Sequence, residues 1–132
     1  MTASLTIGKL AKASGVSAKM IRYYESIDLL PAAERTESNY RVYDEKDIHC
    51  LRFIHRARKL GFPLEQIRVL MALWQDQKRS SREVKQLALD HVTDLQARIA
   101  EMQSMVNLLQ KLAHQCQGND RPDCPILEEL AK

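Results

Sequence analysis

Long apolar runs are missing from this sequence of 132 residues, and none approaches the length of a membrane-spanning helix, which needs roughly 20 such residues. The N-terminal stretch MTASLTIGKLAK also lacks the apolar segment of a secretory signal. We therefore expect a cytoplasmic protein with no membrane partner. Aromatic residues make up only 5% of the chain, which argues against a large aromatic-packed interior and favours one modest head with an extended helical element.

Cysteine is scarce, with three residues at Cys50, Cys116 and Cys124. In a reducing compartment so few cysteines do not make a disulfide framework. Cys116 and Cys124 are therefore candidate metal ligands or redox thiols, whereas Cys50 is expected to pack as a small apolar residue. No nucleophile–base pairing, phosphate loop or open catalytic metal site is visible, so we predict that the protein is not an enzyme.

Charge is distributed unevenly along the chain. The first 60 residues hold 11 Lys and Arg against 7 Asp and Glu, whereas the remainder holds 9 against 10. A basic first half is compatible with a nucleic-acid partner and equally with a solvated surface.

Two short helices are predicted at the start of the chain. The first covers Ile7 to Ala13 after Thr6 as its N-cap. The motif SGVS then supplies a turn at Gly15 and a second cap at Ser17, before AKMIRYYESIDLL. Two helices joined by a tight glycine-containing turn are typical of a helix-turn-helix.

A hairpin and two further helices follow. RTESNYRVY predicts a short hairpin, a wing beside the helices. The segment from Asp44 to Gly61 predicts a helix with acidic residues in its first turn and a glycine stop. Pro63 is suited to the start of the next helix, PLEQIRVLMALWQ.

The longest periodic segment of the chain has apolar residues spaced alternately by four and three. This heptad seam consists of Ala88, Val92, Leu95, Ile99, Met102, Val106, Leu109, Ala113 and Cys116. A helix from about Glu83 to Gln115, with Ser81 as a candidate cap, would be roughly 50 Å long and could not bury the seam against so small a head. The seam therefore predicts a partner helix, most simply that of a second copy in a homodimer.

The segment HQCQGNDRPDCPILEEL brings Cys116 and Cys124 close in sequence through a loop that contains glycine and proline. We expect both sulfurs to point into one pocket, with Ile126 and Leu127 starting an apolar lid. Two thiolates suit a soft monovalent ion such as Cu(I), and structural zinc usually takes four ligands, although His114 or a residue of the other subunit could complete such a site. An ordinary surface loop and a reversible disulfide remain open alternatives.

Taken together, these motifs resemble the MerR family of transcriptional regulators, specifically its copper-efflux (CueR-like) branch, over essentially the whole chain. TIGKLAKASGVSAKMIRYYESIDLL is similar to the family's DNA-binding signature, NYRVY to its wing and CQGNDRPDCPI to its metal-binding loop. The resemblance implies a mainly α fold: a winged helix-turn-helix head over residues 1–75, a dimerisation helix over 81–115 that forms an antiparallel coiled coil, and a metal-binding loop with a short helix over 116–132.

Specific site residues follow from the resemblance. It implies that Cys116 and Cys124 bind the metal. Divalent-ion sensors of the family resemble one another in having a cysteine where this chain has Ser81, so the serine removes a third thiolate and bears on selectivity. The implied DNA contacts are Lys19, Arg22 and Tyr24 on the recognition helix, Arg35, Tyr40 and Arg41 in the wing, and Arg58 on the following helix.

Three further expectations concern single positions. Arg22 is the favoured base or phosphate contact, and Tyr23 is expected to support the core. The family usually has glycine where this chain has Asp28 and Asn39, which are the residue types besides glycine that best tolerate positive φ. We therefore expect the backbone path to be kept at a small cost in stability.

The implied function is that of a homodimeric activator that responds to Cu(I), with Ag(I) and Au(I) as further candidate signals, and switches on copper export or detoxification genes. The dimer would occupy a promoter whose spacer is too long for RNA polymerase, and metal would make it distort the DNA. A divalent-metal sensor of the same family, a thiol redox regulator and a metal buffer that does not bind DNA are the alternatives.

Overall fold

The structure is a computed structural model and describes residues 4–31 and 33–132. Its elements in chain order are α1 (Ile7–Ser14), α2 (Ala18–Ser26), β1 (Glu34–Arg35), β2 (Arg41–Val42), α3 (Glu45–Lys59), α4 (Leu64–Gln75), α5 (Ser81–Gln115) and α6 (Pro125–Leu130). The predicted mainly α architecture, with a winged helix-turn-helix and one long helix, is confirmed. The chain divides into two compact units, Met1–Val84 and Lys85–Lys132.

Local hydrogen bonds set the ends of α1 and α2. The Thr6 hydroxyl accepts from the Lys9 N–H at 3.3 Å, and the Ser17 hydroxyl accepts from the Met20 N–H at 3.2 Å, so both predicted caps are present. Gly15 ends α1 with φ 76, a left-handed conformation that glycine adopts without a steric cost. This turn sets the angle at which α2 leaves α1.

The turn after α2 depends on a left-handed residue that is not glycine. Asp28 has φ 58, and the next two N–H groups, of Leu29 and Leu30, donate to the Tyr24 carbonyl at 2.9 and 3.2 Å. From α4, the Arg68 guanidinium donates to the Asp28 carbonyl at 3.0 Å and to the Ile27 carbonyl at 2.6 Å. The expectation that Asp28 tolerates positive φ is confirmed, and the arginine holds this turn against α4.

The wing is a small antiparallel sheet. Strand β1 pairs with β2 so that Glu34 faces Val42 and Arg35 faces Arg41. Asn39, in the connecting loop, has φ 67, which agrees with the expectation that asparagine tolerates positive φ there.

Helix α3 begins with a capping box. The Asp44 carboxylate accepts from the Asp47 N–H at 3.3 Å, and the Asp47 carboxylate accepts from the Asp44 N–H at 3.0 Å. At the other end Gly61 has φ 84, which agrees with the predicted glycine stop. Pro63 is the N-cap of α4 and not its first residue.

One apolar core holds the first unit together. Its fully buried side chains are Leu10, Ile21, Leu30, Leu51, Ile54 and Ile67, and they come from α1, α2, α3, α4 and the turn after α2. Cys50 is buried among them, as predicted for a small packing residue. Arg52 of α3 also donates to the Ala13 carbonyl at 3.0 Å. This hydrogen bond and the shared core hold the helix-turn-helix against α3.

Helix α5 ends at Gln115, as predicted, and begins at Ser81, two residues before the predicted start at about Glu83. It includes Ser81 as its first residue, so the cap position falls on Ser80, one residue earlier than predicted. Cys116 lies one residue beyond the helix, and its N–H still donates to the Leu112 carbonyl at 3.0 Å. Among the described residues, no helix is both long and apolar enough to cross a bilayer.

Much of the predicted seam of α5 is exposed on the chain. Val92, Ile99, Met102, Val106 and Leu109 are between 45% and 64% exposed. Exposing so many large apolar side chains along one stripe is unfavourable in water. The stripe therefore indicates a partner surface.

We predict that Asp28→Gly stabilises the protein and Asp28→Ala destabilises it. At φ 58 a Cβ carries a steric cost of about 1–2 kcal/mol, partly offset by the greater entropy that glycine loses on folding. The expected gain for glycine is about 0.5–1 kcal/mol, and alanine loses the tolerance of aspartate for this region. Urea unfolding of the three proteins measures both changes, and the same direction for both variants would contradict the argument.

Candidate functional site

The two cysteines near the C-terminus lie side by side. Their Sγ atoms are 3.8 Å apart, and both side chains are half-buried. This separation is well beyond a disulfide bond of about 2.05 Å, so both are thiols. It is short enough for one metal ion to reach both sulfurs through bonds of about 2.3 Å.

The path of the loop brings the sulfurs together. After Cys116 the chain leaves α5 through Gly118, which has φ 58. The Asn119 side chain accepts from the Arg121 N–H at 2.9 Å and tightens the turn. Cys124 is then the N-cap of α6, with Pro125 at the first helical position, where a missing N–H costs little.

The three thiols of the chain have different electrostatic surroundings. The pKa of Cys124 is lowered, chiefly by the nearby backbone N–H of Leu127, with further contributions from Cys116 and the Ile126 N–H. The pKa of Cys50 is raised, mainly by burial and then by the nearby carboxylate of Asp47. Cys124 is therefore more readily a thiolate than Cys50, and thiolate is the form that binds metal.

In the described part of the chain, the two cysteines do not belong to a larger group of candidate metal ligands. Among the residues that the structure describes, no group of three or more His, Cys, Asp or Glu side chains is placed to hold a metal. Within the chain, His114 therefore does not join the two cysteines in such a group. Two sulfurs without a third ligand fit a soft ion that accepts low coordination, such as Cu(I).

The predicted apolar lid is only partly formed. Ile126 is half-buried, whereas Leu127 is 63% exposed. Because α6 has only six residues, the expectation that both side chains cover the site does not hold within the single chain.

Most of the predicted DNA-contacting residues are at the surface of the first unit. Exposed side chains are those of Lys19, Arg22, Arg35, Tyr40 and Arg58, and Arg41 is half-exposed. The Arg35 guanidinium donates to the carbonyl and the side-chain oxygen of Asn39 at 3.2 and 3.3 Å. It thereby holds the loop at the tip of the wing.

Tyr24 is a correction to the sequence-based prediction. Its side chain is only 5% exposed and belongs to the core, because it lies three residues after buried Ile21 on the same face of α2. Tyr23, which was expected to support the core, is 44% exposed. The exposed tyrosine of α2 is therefore Tyr23.

Sequence reasoning missed a contact between the recognition helix and the wing. The Tyr43 hydroxyl donates to the Glu25 carboxylate, and Arg41 lies 4.0 Å from the same carboxylate. Glu25 is on α2 and Tyr43 directly follows β2. Residues 18 positions apart give no periodic signal, although an acidic residue in the last turn of an otherwise basic helix was a feature that called for a partner.

Comparison with known proteins places these features in a family. Residues 5–74 match the model for the MerR HTH family regulatory protein, and residues 48–112 match the model described as MerR, DNA binding. The chain is 55% identical over 127 residues to heavy metal-dependent transcription regulator 2 of Rhizobium meliloti (strain 1021), over 96% of this chain and 86% of the relative. It is 39% identical over 127 residues to the HTH-type transcriptional regulator CueR of Escherichia coli O157:H7, over 96% and 94% of the two chains.

A solved structure shares the fold over nearly the whole length. The transcription regulator PbrR691 from Ralstonia metallidurans CH34, in complex with lead(II), superposes with a TM-score of 0.82 at 32% identity and covers 96% of this chain and 98% of its own.

We predict that iodoacetamide alkylates Cys124 more readily than an ordinary thiol and spares Cys50 in the folded protein. Because the pKa of Cys124 is lowered, its alkylation rate should rise at a lower pH than in the unfolded chain. Cys50 is buried, and burial protects it from the reagent. Rates from about pH 6 to 10, followed by peptide mass spectrometry, measure the profiles. The same chain unfolded in urea is the control. If the alkylation rate of Cys124 rose at the same pH as in the unfolded chain, or at a higher pH, the result would contradict this assignment.

Proposed function

The chain belongs to the MerR family of DNA-binding transcriptional regulators, which are not enzymes, and from that premise we propose that it is a Cu(I)-responsive activator of copper export or detoxification genes. The observation that carries this proposal is the pair of thiols at Cys116 and Cys124, 3.8 Å apart. No third ligand joins them within the described part of the chain. The name of the Rhizobium meliloti relative, a heavy metal-dependent regulator, supports metal as the class of signal.

The proposed ligands favour a soft monovalent ion on two grounds. Thiolates prefer soft ions, and Cu(I) accepts two ligands. Two thiolates with one monovalent ion leave one net negative charge, whereas a divalent ion leaves none. Ag(I) and Au(I) have the same charge and the same preference for sulfur, so we propose them as further ligands of the site.

Promoter DNA is the proposed partner of the first unit, residues 1–75. Arginine forks match phosphates and guanine edges, and Arg22 on α2 is exposed. We propose that Lys19 and Tyr23 contact DNA beside it, and that the wing and α3 add phosphate contacts. The residues for these added contacts are Arg35, Tyr40, Arg41 and Arg58.

A homodimer is the proposed assembly. The exposed stripe of α5 from Val92 to Leu109 repeats at heptad spacing, which is the pattern that a partner helix covers in a coiled coil. We propose that α5 pairs with its counterpart in antiparallel orientation, as the dimerisation helix over residues 81–115.

The proposed response begins at the junction between α5 and α6. Cys116 directly follows the end of α5, and Cys124 directly precedes α6, so joining the two sulfurs through one ion ties these helix ends together. In the dimer this would change how the two DNA-binding heads are held and distort a promoter whose spacer is too long for RNA polymerase. The ion need only favour the distorting state by a few kcal/mol, because its differential affinity sets the shift.

Two alternatives have observations in their favour. The similarity to PbrR691 in complex with lead(II) favours a divalent-metal sensor of the same family. The 3.8 Å separation of the two thiols favours a redox regulator in which they form a disulfide.

We predict that the reduced protein binds one Cu(I) per chain, and that the Cys116→Ser/Cys124→Ser variant loses this binding by more than about 100-fold. Anaerobic titration against a chromogenic Cu(I) chelator, with Zn(II) run in parallel, measures the affinities. Cys50→Ala is the matched control, because Cys50 belongs to the core, and it should bind like the unchanged protein. Tighter Zn(II) than Cu(I) would favour the divalent sensor, and a DNA response to peroxide without metal would favour the redox regulator.

We predict that Ser81→Cys raises the affinity for Zn(II) or Hg(II) by supplying a third thiolate from the other subunit of the dimer. Ser80→Cys is the matched control, since it places a thiol one residue away and about 100° around the helix axis. The same competition titration measures both variants. No gain for Ser81→Cys over Ser80→Cys would count against ligand number as the basis of selectivity.

A further inference from the structure

Tyr43 joins three segments of the first unit. Its side chain is 2% exposed, and its hydroxyl donates to the carboxylate of Glu25 in the last turn of α2. The Leu5 N–H donates to the Tyr43 carbonyl at 2.7 Å, and the Tyr43 N–H donates to the Leu5 carbonyl at 2.9 Å. The N-terminal segment, the recognition helix and the second strand of the wing therefore meet at one residue.

Arg41 belongs to the same cluster but is held less tightly. Its Nη1 lies 4.0 Å from Glu25 Oε2, and its side chain is 37% exposed, against 10% for Glu25. This distance is too long for a hydrogen bond, so Glu25 attracts the guanidinium without binding its Nη1 directly. A guanidinium that is attracted to the carboxylate but not hydrogen-bonded to it through Nη1 can also reach a phosphate.

The chemistry of the cluster keeps it intact near neutral pH. Burial, and then the Glu25 carboxylate, raise the pKa of Tyr43 to about 12, so its hydroxyl remains a donor. The carboxylate in turn has a phenol and a guanidinium nearby, which offset the cost of removing it from water. A bare carboxylate at this place on a DNA-binding helix would also repel phosphates.

The two strands of the wing are too short to fix its orientation by themselves. Its strands have only two residues each, and an isolated two-stranded hairpin is marginally stable in water. A side-chain anchor to the recognition helix is therefore worth more here than in a larger sheet.

We propose that Glu25 and Tyr43 are positioning residues for DNA binding, which hold the wing and the Arg41 guanidinium in register with the recognition helix. This inference rests on the proposed DNA-binding function. Neither residue needs to touch DNA, because both act through Arg41.

The test is a double-mutant cycle on the full-length protein. The probe is a duplex selected from a random library by the unchanged protein, and affinity is measured over a range of salt concentrations. Tyr43→Phe removes only the hydroxyl, and we expect it to weaken binding about 5-fold and to lower the salt slope by about 1, as the loss of one phosphate contact does. When Tyr43→Phe is combined with Arg41→Ala, it should reduce the affinity little further. When it is combined with Arg58→Ala, the two fold-losses of affinity should multiply.

Glu25→Ala breaks the same contact from the helix side, so the test does not depend on the folding of one variant. Its matched control is Glu37→Ala, which removes an exposed carboxylate from the wing. Removing a negative charge alone should strengthen binding to DNA; we expect Glu37→Ala to bind at least as tightly as the unchanged protein and Glu25→Ala to bind more weakly.

The outcomes separate the two proposals. If the unchanged protein bound the duplex without salt dependence, the proposed DNA-binding function itself would be overturned. Two results would overturn the positioning role alone, provided that the unchanged protein binds DNA normally. One is a Tyr43→Phe variant with unaltered affinity. The other is a loss of affinity from Tyr43→Phe that is equally large in the Arg41→Ala and Arg58→Ala backgrounds. A purely structural role would change the melting temperature without this selective coupling to Arg41.

Discussion

The apolar seam of α5 imposes the main physical constraint on this protein. A helix of 35 residues is roughly 50 Å long at 1.5 Å per residue, and many of its large apolar side chains are exposed on the single chain. Covering this stripe would stabilise the chain, because burial of apolar surface contributes about 25 cal/mol per Å². The helix that needs a partner is also the segment that separates the head from the two thiols in the sequence.

That arrangement would limit how the proposed metal signal at the thiols reaches DNA. Cys116 directly follows α5 and Cys124 directly precedes α6, so a bound ion would act first on the path of the chain between two helix ends. A single rigid helix transmits a change in its orientation over its length, and a paired helix also transmits it to the second copy. Because the first unit has one continuous core, with Arg52 and Arg68 bonded to backbone carbonyls of other segments, its DNA-binding elements would move together.

Local signals predicted much of this fold, and tertiary packing decided the rest. The caps at Thr6 and Ser17, and the positive φ of Asp28 and Asn39, follow from short-range chemistry, and the structure has them. Tyr24 was misassigned because similarity to a family indicates which residues are present but not which side of a helix is buried. Its spacing from Ile21 would have shown the burial. The contact between Glu25 and Tyr43 joins residues far apart in the sequence, and no local pattern encodes it.

The same distinction applies to the thiols. Sequence spacing predicted that Cys116 and Cys124 could share a pocket, and the structure brings their sulfurs to 3.8 Å. The difference between Cys124 and Cys50 required coordinates, because it comes from the backbone N–H groups that face one sulfur and from the burial of the other. In a thiol-containing regulator, reactivity toward metal follows the fraction of thiolate. A half-buried thiol with a lowered pKa beside a second thiol, and a third thiol in the core whose pKa is raised, are the features on which the proposed soft-ion site rests.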